Sequence, residues 1–94
     1  HYIGPNADIK RSFITQGCMI DGEVKNSVLF TSAKIDTGAR VIDSVLMPGV
    51  IVEAGAVVER ALVADGVRIG KNAVVGSPDS EHIELVAKRV KGAE

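Results

Sequence analysis

The phrases Ile35-Asp36-Thr37-Gly38-Ala39-Arg40-Val41, Val52-Glu53-Ala54-Gly55-Ala56-Val57-Val58 and Ile69-Gly70-Lys71-Asn72-Ala73-Val74-Val75 repeat one pattern, each starting 17 residues after the last. An earlier copy, Ile3-Gly4-Pro5-Asn6-Ala7-Asp8-Ile9, begins 17 residues before Ile20. From Ile20 to Ile35 the step is 15, because Ile20-Asp21-Gly22-Glu23-Val24 is two residues shorter than its counterparts. A fixed period with one local defect marks an architecture whose units stack on their neighbours.

Each unit divides into three segments, as in residues 41–45, 46–51 and 52–57. A segment opens with an aliphatic residue and carries a small or aliphatic one four positions later: Leu29/Ala33, Ile35/Ala39, Val52/Ala56, Val63/Val67, Ile69/Ala73. Three short strands a turn make a triangular coil with the opening aliphatic pointing inward. The pattern predicts an all-β chain, a parallel β-helix of hexapeptide repeats with about four coils over residues 1–76. Residues one coil apart should stack: Val24, Val41, Val58 and Val75; Leu29, Leu46 and Val63; Ala39, Ala56 and Ala73. A further column, Asn6, Gly38, Gly55 and Asn72, holds the residues that best tolerate positive φ and predicts a sharp corner, with a second at Gly49 and Gly66. A β-sandwich also gives alternating strands and turns, but nothing in it demands a 17-residue period.

Composition agrees. Hydrophobic residues make up 46% of the chain and aromatics only 3%, so Val, Ile, Leu and Ala must fill the core. Eleven basic and twelve acidic residues leave a net charge of −1, which offers no electrostatic footprint for nucleic acid or an anionic membrane. Cys18 is the single cysteine, which excludes an internal disulfide and a Cys-based zinc site and favours a reducing, cytoplasmic setting. No apolar run approaches the roughly 20 residues of a membrane span. The start at His1, without methionine, suggests a fragment. So short a solenoid is expected to need its open ends capped by a neighbouring domain or another copy.

Hexapeptide coils occur in acyltransferases, some carbonic anhydrases and sugar nucleotidyltransferases, so the fold alone names no activity. Local phrases narrow the field: Tyr2-Ile3-Gly4-Pro5-Asn6-Ala7, the stretch Gly17-Cys18-Met19-Ile20-Asp21-Gly22-Glu23-Val24-Lys25-Asn26-Ser27-Val28-Leu29-Phe30, and Asp43-Ser44-Val45-Leu46-Met47-Pro48-Gly49 with Glu59-Arg60-Ala61-Leu62. Together with the shortened coil they resemble the C-terminal region of bacterial glucose-1-phosphate adenylyltransferases (ADP-glucose pyrophosphorylases), over about residues 1–76. The resemblance implies a left-handed coil, against the usual right-handed crossover preference. It also implies a parent nucleotidyltransferase that joins ATP and glucose 1-phosphate into ADP-glucose and pyrophosphate for glycogen biosynthesis. In that family Mg and ATP are bound by an N-terminal catalytic domain, while the β-helix supports homotetramer assembly and allosteric regulation by anionic metabolites. The catalytic domain's Gly-rich loop and metal-binding aspartates have no counterpart here, so the chain alone is expected to have no catalytic, cofactor or metal site. The alternatives are the β-helix of another sugar-phosphate nucleotidyltransferase or of a non-catalytic paralogous subunit and, more distantly, a hexapeptide acyltransferase.

Individual residues are weighed against plainer roles. An acyltransferase would need a histidine as general base, and a carbonic anhydrase three for its metal. The two present, His1 and His82, fall outside the regular coils and read as surface residues. Cys18 shares the inward column of Ala33, Val50 and Val67 and reads as a small hydrophobe. Lys10, Arg11, Lys25, Arg40, Arg60, Arg68 and Lys71 fall at outward positions, where an anionic effector would need several to converge; the plainer reading is a solvated face with Asp43 neutralising Arg60. Outward apolar residues mark a packing surface, and Phe30, Met47, Ile42, Ile51, Val57 and Val74 are the candidate assembly surface, facing another subunit or the N-terminal catalytic domain. Residues 77–94 form a C-terminal extension opened by Gly76-Ser77-Pro78-Asp79-Ser80. Beyond it lies either a strand with Ile83, Leu85 and Ala87 on one face or a short helix, and then a tail.

Overall fold

The structure is a computed structural model that describes residues 2–93. The first coil contains β1 (Tyr2–Ile3), β2 (Asp8–Lys10) and β3 (Phe13–Ile14). The second contains β4 (Met19–Ile20), β5 (Glu23–Lys25) and β6 (Val28–Leu29), and the third β7 (Lys34–Ile35), β8 (Arg40–Ile42) and β9 (Val45–Leu46). β10 (Ile51–Val52), β11 (Val57–Glu59) and β12 (Ala61–Val63) make the fourth, and β13 (Arg68–Ile69), β14 (Val74–Gly76) and β15 (Glu84–Val86) the fifth. Every third strand pairs in parallel, giving three five-stranded sheets that run β1-β4-β7-β10-β13, β2-β5-β8-β11-β14 and β3-β6-β9-β12-β15. This is a left-handed parallel β-helix.

The predicted columns are those observed. Val24 pairs with Val41, Val41 with Val58 and Val58 with Val75, and Leu29 with Leu46 and Leu46 with Val63. These residues are buried, as are Cys18, Ala33, Val50 and Val67 in their shared column. Burial fails at the first coil, where Ile3, paired on one side only among the described residues, is 46% exposed.

Corners follow from where backbone groups must point. Strand N–H groups donate to the next coil, as Lys34 does to Val50 (2.9 Å) and Ile51 to Val67 (3.0 Å). Residues in the left-handed region turn their N–H back to the previous coil: Gly55 to the Thr37 carbonyl, Gly49 to Thr31, Gly66 to Pro48. The predicted corners at Gly38, Gly55 and Asn72, and at Gly49 and Gly66, have positive φ, and Gly17 and Ser32 continue the second. Asn6 does not have it. Its N–H donates instead to Asp21 Oδ1 in the next coil, at 2.9 Å.

A third corner was not expected. Arg11, Asn26, Asp43, Arg60 and Gly76 all have positive φ, although three of them are not turn-forming glycine or asparagine. After Arg11, Asn26 and Asp43 the next position in the chain is a serine, and the three form a ladder. Ser12, Ser27 and Ser44 each donate Oγ–H to the carbonyl two residues back, at 2.8 Å. Each Oγ also accepts the N–H one coil on, from Ser27, Ser44 and Ala61, at 3.1 Å. One hydroxyl thus closes its own corner and ties it to the next, which repays the strain of a non-glycine residue at positive φ.

Two coils depart from the 17-residue step. In the shortened second coil Asp21 replaces the missing corner: its carboxylate accepts from Asn6 in the coil below and from Thr37 Oγ1 (2.6 Å) in the coil above. Gly22 beside it admits no Cβ, which would lie 2.5 Å from the Ala39 carbonyl oxygen. In the fifth coil the chain leaves the third corner at Gly76, pressed against the Glu59 carbonyl, and returns only at Glu84. β15 consequently pairs with β12 at an offset of 23 residues, Ala61 to Glu84 and Val63 to Val86. Its inward residue is Val86, whereas Leu85 is 72% exposed and Ile83 is exposed. Of the two conformations the sequence left open here, the strand is the one observed, and Ile83, Leu85 and Ala87 lie on its outward side, a register the sequence could not fix without the insertion's length. Val90 bridges to Ile69 and continues the first sheet's stacking.

Two predictions follow from these corners. Ser44→Ala strands the buried Ala61 N–H and should cost about 1–3 kcal/mol in urea unfolding, with a smaller loss for Ser12→Ala at the open end. Hydrogen bonds from Thr37 and Asn6 hold the Asp21 carboxyl below the usual aspartate range. Its contribution is therefore complete above the ordinary aspartate pKa of about 4 and is lost as pH falls through the lowered folded value. Asp21→Asn should reduce the acid sensitivity of the melting temperature in that window, and an unchanged pH profile would refute the assignment.

Candidate functional site

A β-helix presents three flat outer faces, and their residues differ in kind. Along the first sheet the outward column is Tyr2, Met19, Lys34, Ile51 and Arg68. Along the second it is Asp8, Glu23, Arg40, Val57 and Val74. Along the third it is Phe13, Val28, Val45, Leu62 and Leu85, all apolar. Beside this column, at the strand ends, stand Phe30, Met47, Ala64 and Ala87.

The six residues proposed from the sequence as an assembly surface are distributed over all three faces. Phe30 and Met47 lie on the third, half-buried; Val57 and the 69%-exposed Val74 are stacked on the second; Ile42 neighbours Lys25 and Glu59 there; Ile51 sits between Lys34 and Arg68 on the first. Only the third face is apolar at every level. Its main column escaped the sequence reading although the signal existed, since the residue before each inward Leu29, Leu46 or Val63 must point out. Leu85 was hidden further by the insertion. Met47, Leu62, Ala64, Leu85 and Ala87 enclose an open apolar groove at the upper end of this face, with Asp65 at its rim. Phe13, 64% exposed, stands at the lower end.

Four of the seven cations singled out from the sequence are engaged by other side chains. Lys25 and Arg40 both reach Glu23, at 2.9 and 3.2 Å, and Arg68 pairs with Glu53, which also accepts the Lys71 N–H. These partners hold Glu23 and Glu53 below the usual glutamate range, Lys25 chiefly for the first and Arg68 for the second. Arg11 Nε donates to Asn26 Oδ1 at 2.8 Å. Asp43 and Arg60, expected to neutralise each other, form no ion pair, and Arg60 Nε is buried without a partner. Both belong to the third corner, whose backbone sets where their side chains leave. Lys10 and Lys71 are exposed. His82 is exposed on the insertion between β14 and β15, and His1 lies outside the described residues. Cys18 Sγ lies 3.3 Å from the Phe30 carbonyl in the core. Among the described residues no group of three His, Cys, Asp or Glu side chains is placed to hold a metal ion.

Comparison with known proteins agrees with the repeat. Residues 3–91 match the family described as GlmU-like, C-terminal hexapeptide. A glucose-1-phosphate adenylyltransferase of Acetivibrio thermocellus is 37% identical over 85 residues, covering 90% of this chain and 20% of that protein. One of Bacillus cytotoxicus is 38% identical over 90 residues, covering 95% and 24%, and one of Bacillus thuringiensis is 40% identical over 74 residues, covering 72% and 20%. The chain thus spans between a fifth and a quarter of the length of these curated relatives and corresponds to their C-terminal region. With nearly its whole length matched and the coil order observed directly, the chain belongs to the GlmU-like C-terminal hexapeptide family.

Proposed function

We propose that this chain is the β-helix of a glucose-1-phosphate adenylyltransferase, serving assembly and regulation while a separate N-terminal domain carries out the chemistry. The observation that carries this reading is the 37–38% identity to enzymes of that name over 90–95% of the chain. The parent reaction joins ATP to glucose 1-phosphate, forming ADP-glucose for glycogen biosynthesis and releasing pyrophosphate, with Mg and ATP held by the catalytic domain in the cytoplasm. A stiff prism of backbone-bonded coils suits a scaffold that positions larger domains in a homotetramer. An anionic metabolite effector would draw on exposed cations such as Lys10 and Lys71, or would compete with Glu23 and Glu53 for Arg40 and Arg68.

The test is enzymatic. The complete reading frame, given glucose 1-phosphate and magnesium, should release pyrophosphate and form ADP-glucose with ATP, far faster than with UTP or CTP, and the 94-residue chain alone should form none. Preference for another nucleotide would assign the chain to a different sugar-phosphate nucleotidyltransferase. Absence of any nucleotide sugar would assign it to a non-catalytic subunit. Either result overturns the proposal.

A further inference from the structure

The second coil is two residues short, and the loss falls where the ladder of backbone bonds needs a peptide. Register is unbroken on either side of it, since Ile20 pairs with Ile35 and Glu23 with Arg40. Asp21 therefore answers to Asp36 and Gly22 to Ala39. Thr37 and Gly38 in the coil above, and Pro5 and Asn6 in the coil below, have no counterpart between them.

At the complete corners an N–H and a carbonyl join successive coils: Gly55 donates to the Thr37 carbonyl at 3.3 Å and Asn72 to that of Ala54 at 3.1 Å. Gly38 has the same left-handed backbone, with φ of 77°, so its N–H points back in the same way, toward a carbonyl the second coil does not supply. Among the described residues neither the Gly38 N–H nor the Pro5 carbonyl has a hydrogen-bond partner. The two stand on opposite sides of a gap two strand spacings wide, roughly 10 Å. The Asp21 carboxylate spans part of it by accepting from the Asn6 N–H and Thr37 Oγ1.

The result is a notch of about 380 Å³ in the edge between the first and second sheets. Its floor is the nearly bare backbone of Gly22, Gly38 and Ala39, which lets a ligand approach closely. One wall is the outward stack of Asp8, Glu23 and Arg40. Glu23 is engaged by Lys25 and Arg40, whereas the Asp8 carboxylate has no partner among the described residues. Asn6 and Thr37 complete the rim.

This lining selects a ligand by its chemistry. Asp8 and Glu23 repel a phosphate or carboxylate, and Arg40 is already paired. No three His, Cys, Asp or Glu side chains among the described residues are placed to hold a metal ion. No aromatic ring lines the notch, so a nucleobase would have nothing to stack on. What the notch offers is donors, the Gly38 N–H and the Asn6 amide, set close to acceptors, the Asp8 carboxylate and the Pro5 carbonyl. Hydroxyl groups match such a mixture because each one both donates and accepts.

We propose that the notch left by the shortened coil is a binding site for a neutral sugar, a single hexopyranose whose hydroxyls accept from the Gly38 N–H and donate to the Asp8 carboxylate and Pro5 carbonyl. The proposal does not rest on the adenylyltransferase reading. A ligand of about a dozen heavy atoms with no apolar platform beneath it binds with a Kd of about 1–10 mM.

Nuclear magnetic resonance of the 15N-labelled 94-residue chain tests it, with glucose, galactose and mannose each titrated to about 50 mM. At least one of these sugars should shift the amides of Gly22, Gly38 and Ala39 to saturation, while glycerol at the same concentration leaves them in place. Asp8→Ala removes an exposed side chain that nothing else holds; it should weaken binding at least about tenfold and leave the melting temperature unchanged. Inserting Thr-Gly between Asp21 and Gly22 rebuilds the 17-residue step. The Gly38 amide should then gain protection from hydrogen exchange, and sugar binding should vanish. Notch amides that no sugar moves would overturn the proposal, as would a Gly38 amide already protected in the sugar-free chain. Binding that survives Asp8→Ala would do the same. A stronger response to phosphate or to putrescine than to any sugar would give the notch to a charged ligand and equally refute it.

Discussion

The structure depends on one constraint: each coil must lie directly over the previous one, so that strand N–H groups meet carbonyls in the next coil. Buried backbone groups left unpaired would cost more than any side chain here returns. Stacking therefore fixes the corners. At each, a peptide must turn against the strand direction so that its N–H points back, and that requires positive φ. Glycine meets the requirement without steric strain; Arg11 and Asp43 meet it with a serine hydroxyl closing the corner from the next position, and Arg60 with the following Ala61 N–H tied to Ser44 Oγ one coil below.

The two irregular coils show how rigid the constraint is. Loss of two residues does not shift the columns: a carboxylate takes the place of the missing corner, and Ile20 still lies under Ile35. Additional residues after Gly76 do not shift them either, since the chain loops out and Val86 returns over Val63. Inward positions admit only residues of the right size and polarity, whereas insertions are tolerated outside because nothing stacks on them.

Outward positions are released from that constraint, and there the three faces diverge. Two carry charges that pair within or between levels, as Glu23 does with Lys25 and Arg40. The third carries none along its main column. A solvated β-sheet face ordinarily alternates with polar residues, so five consecutive apolar levels need an explanation outside the fold itself. The face consequently bears on what the domain docks against rather than on how it folds.

Much of this was determined by the amino-acid order alone. The 17-residue period, the valine and leucine columns, the buried Cys18 and two of the three corners can be read directly, because identical inward environments select similar residues at a constant step. The serine corner could not be read that way: arginine, asparagine and aspartate occupy it, a mixture that does not mark positive φ, and the conformation they share is tied by the serine hydroxyls at the following positions. Nor could the register of β15, since a loop's length does not reveal where the chain rejoins its sheet. Only the tertiary structure gathered Phe13, Val28, Val45, Leu62 and Leu85 onto one face. These residues are 15 to 23 positions apart and become neighbours solely because coils stack.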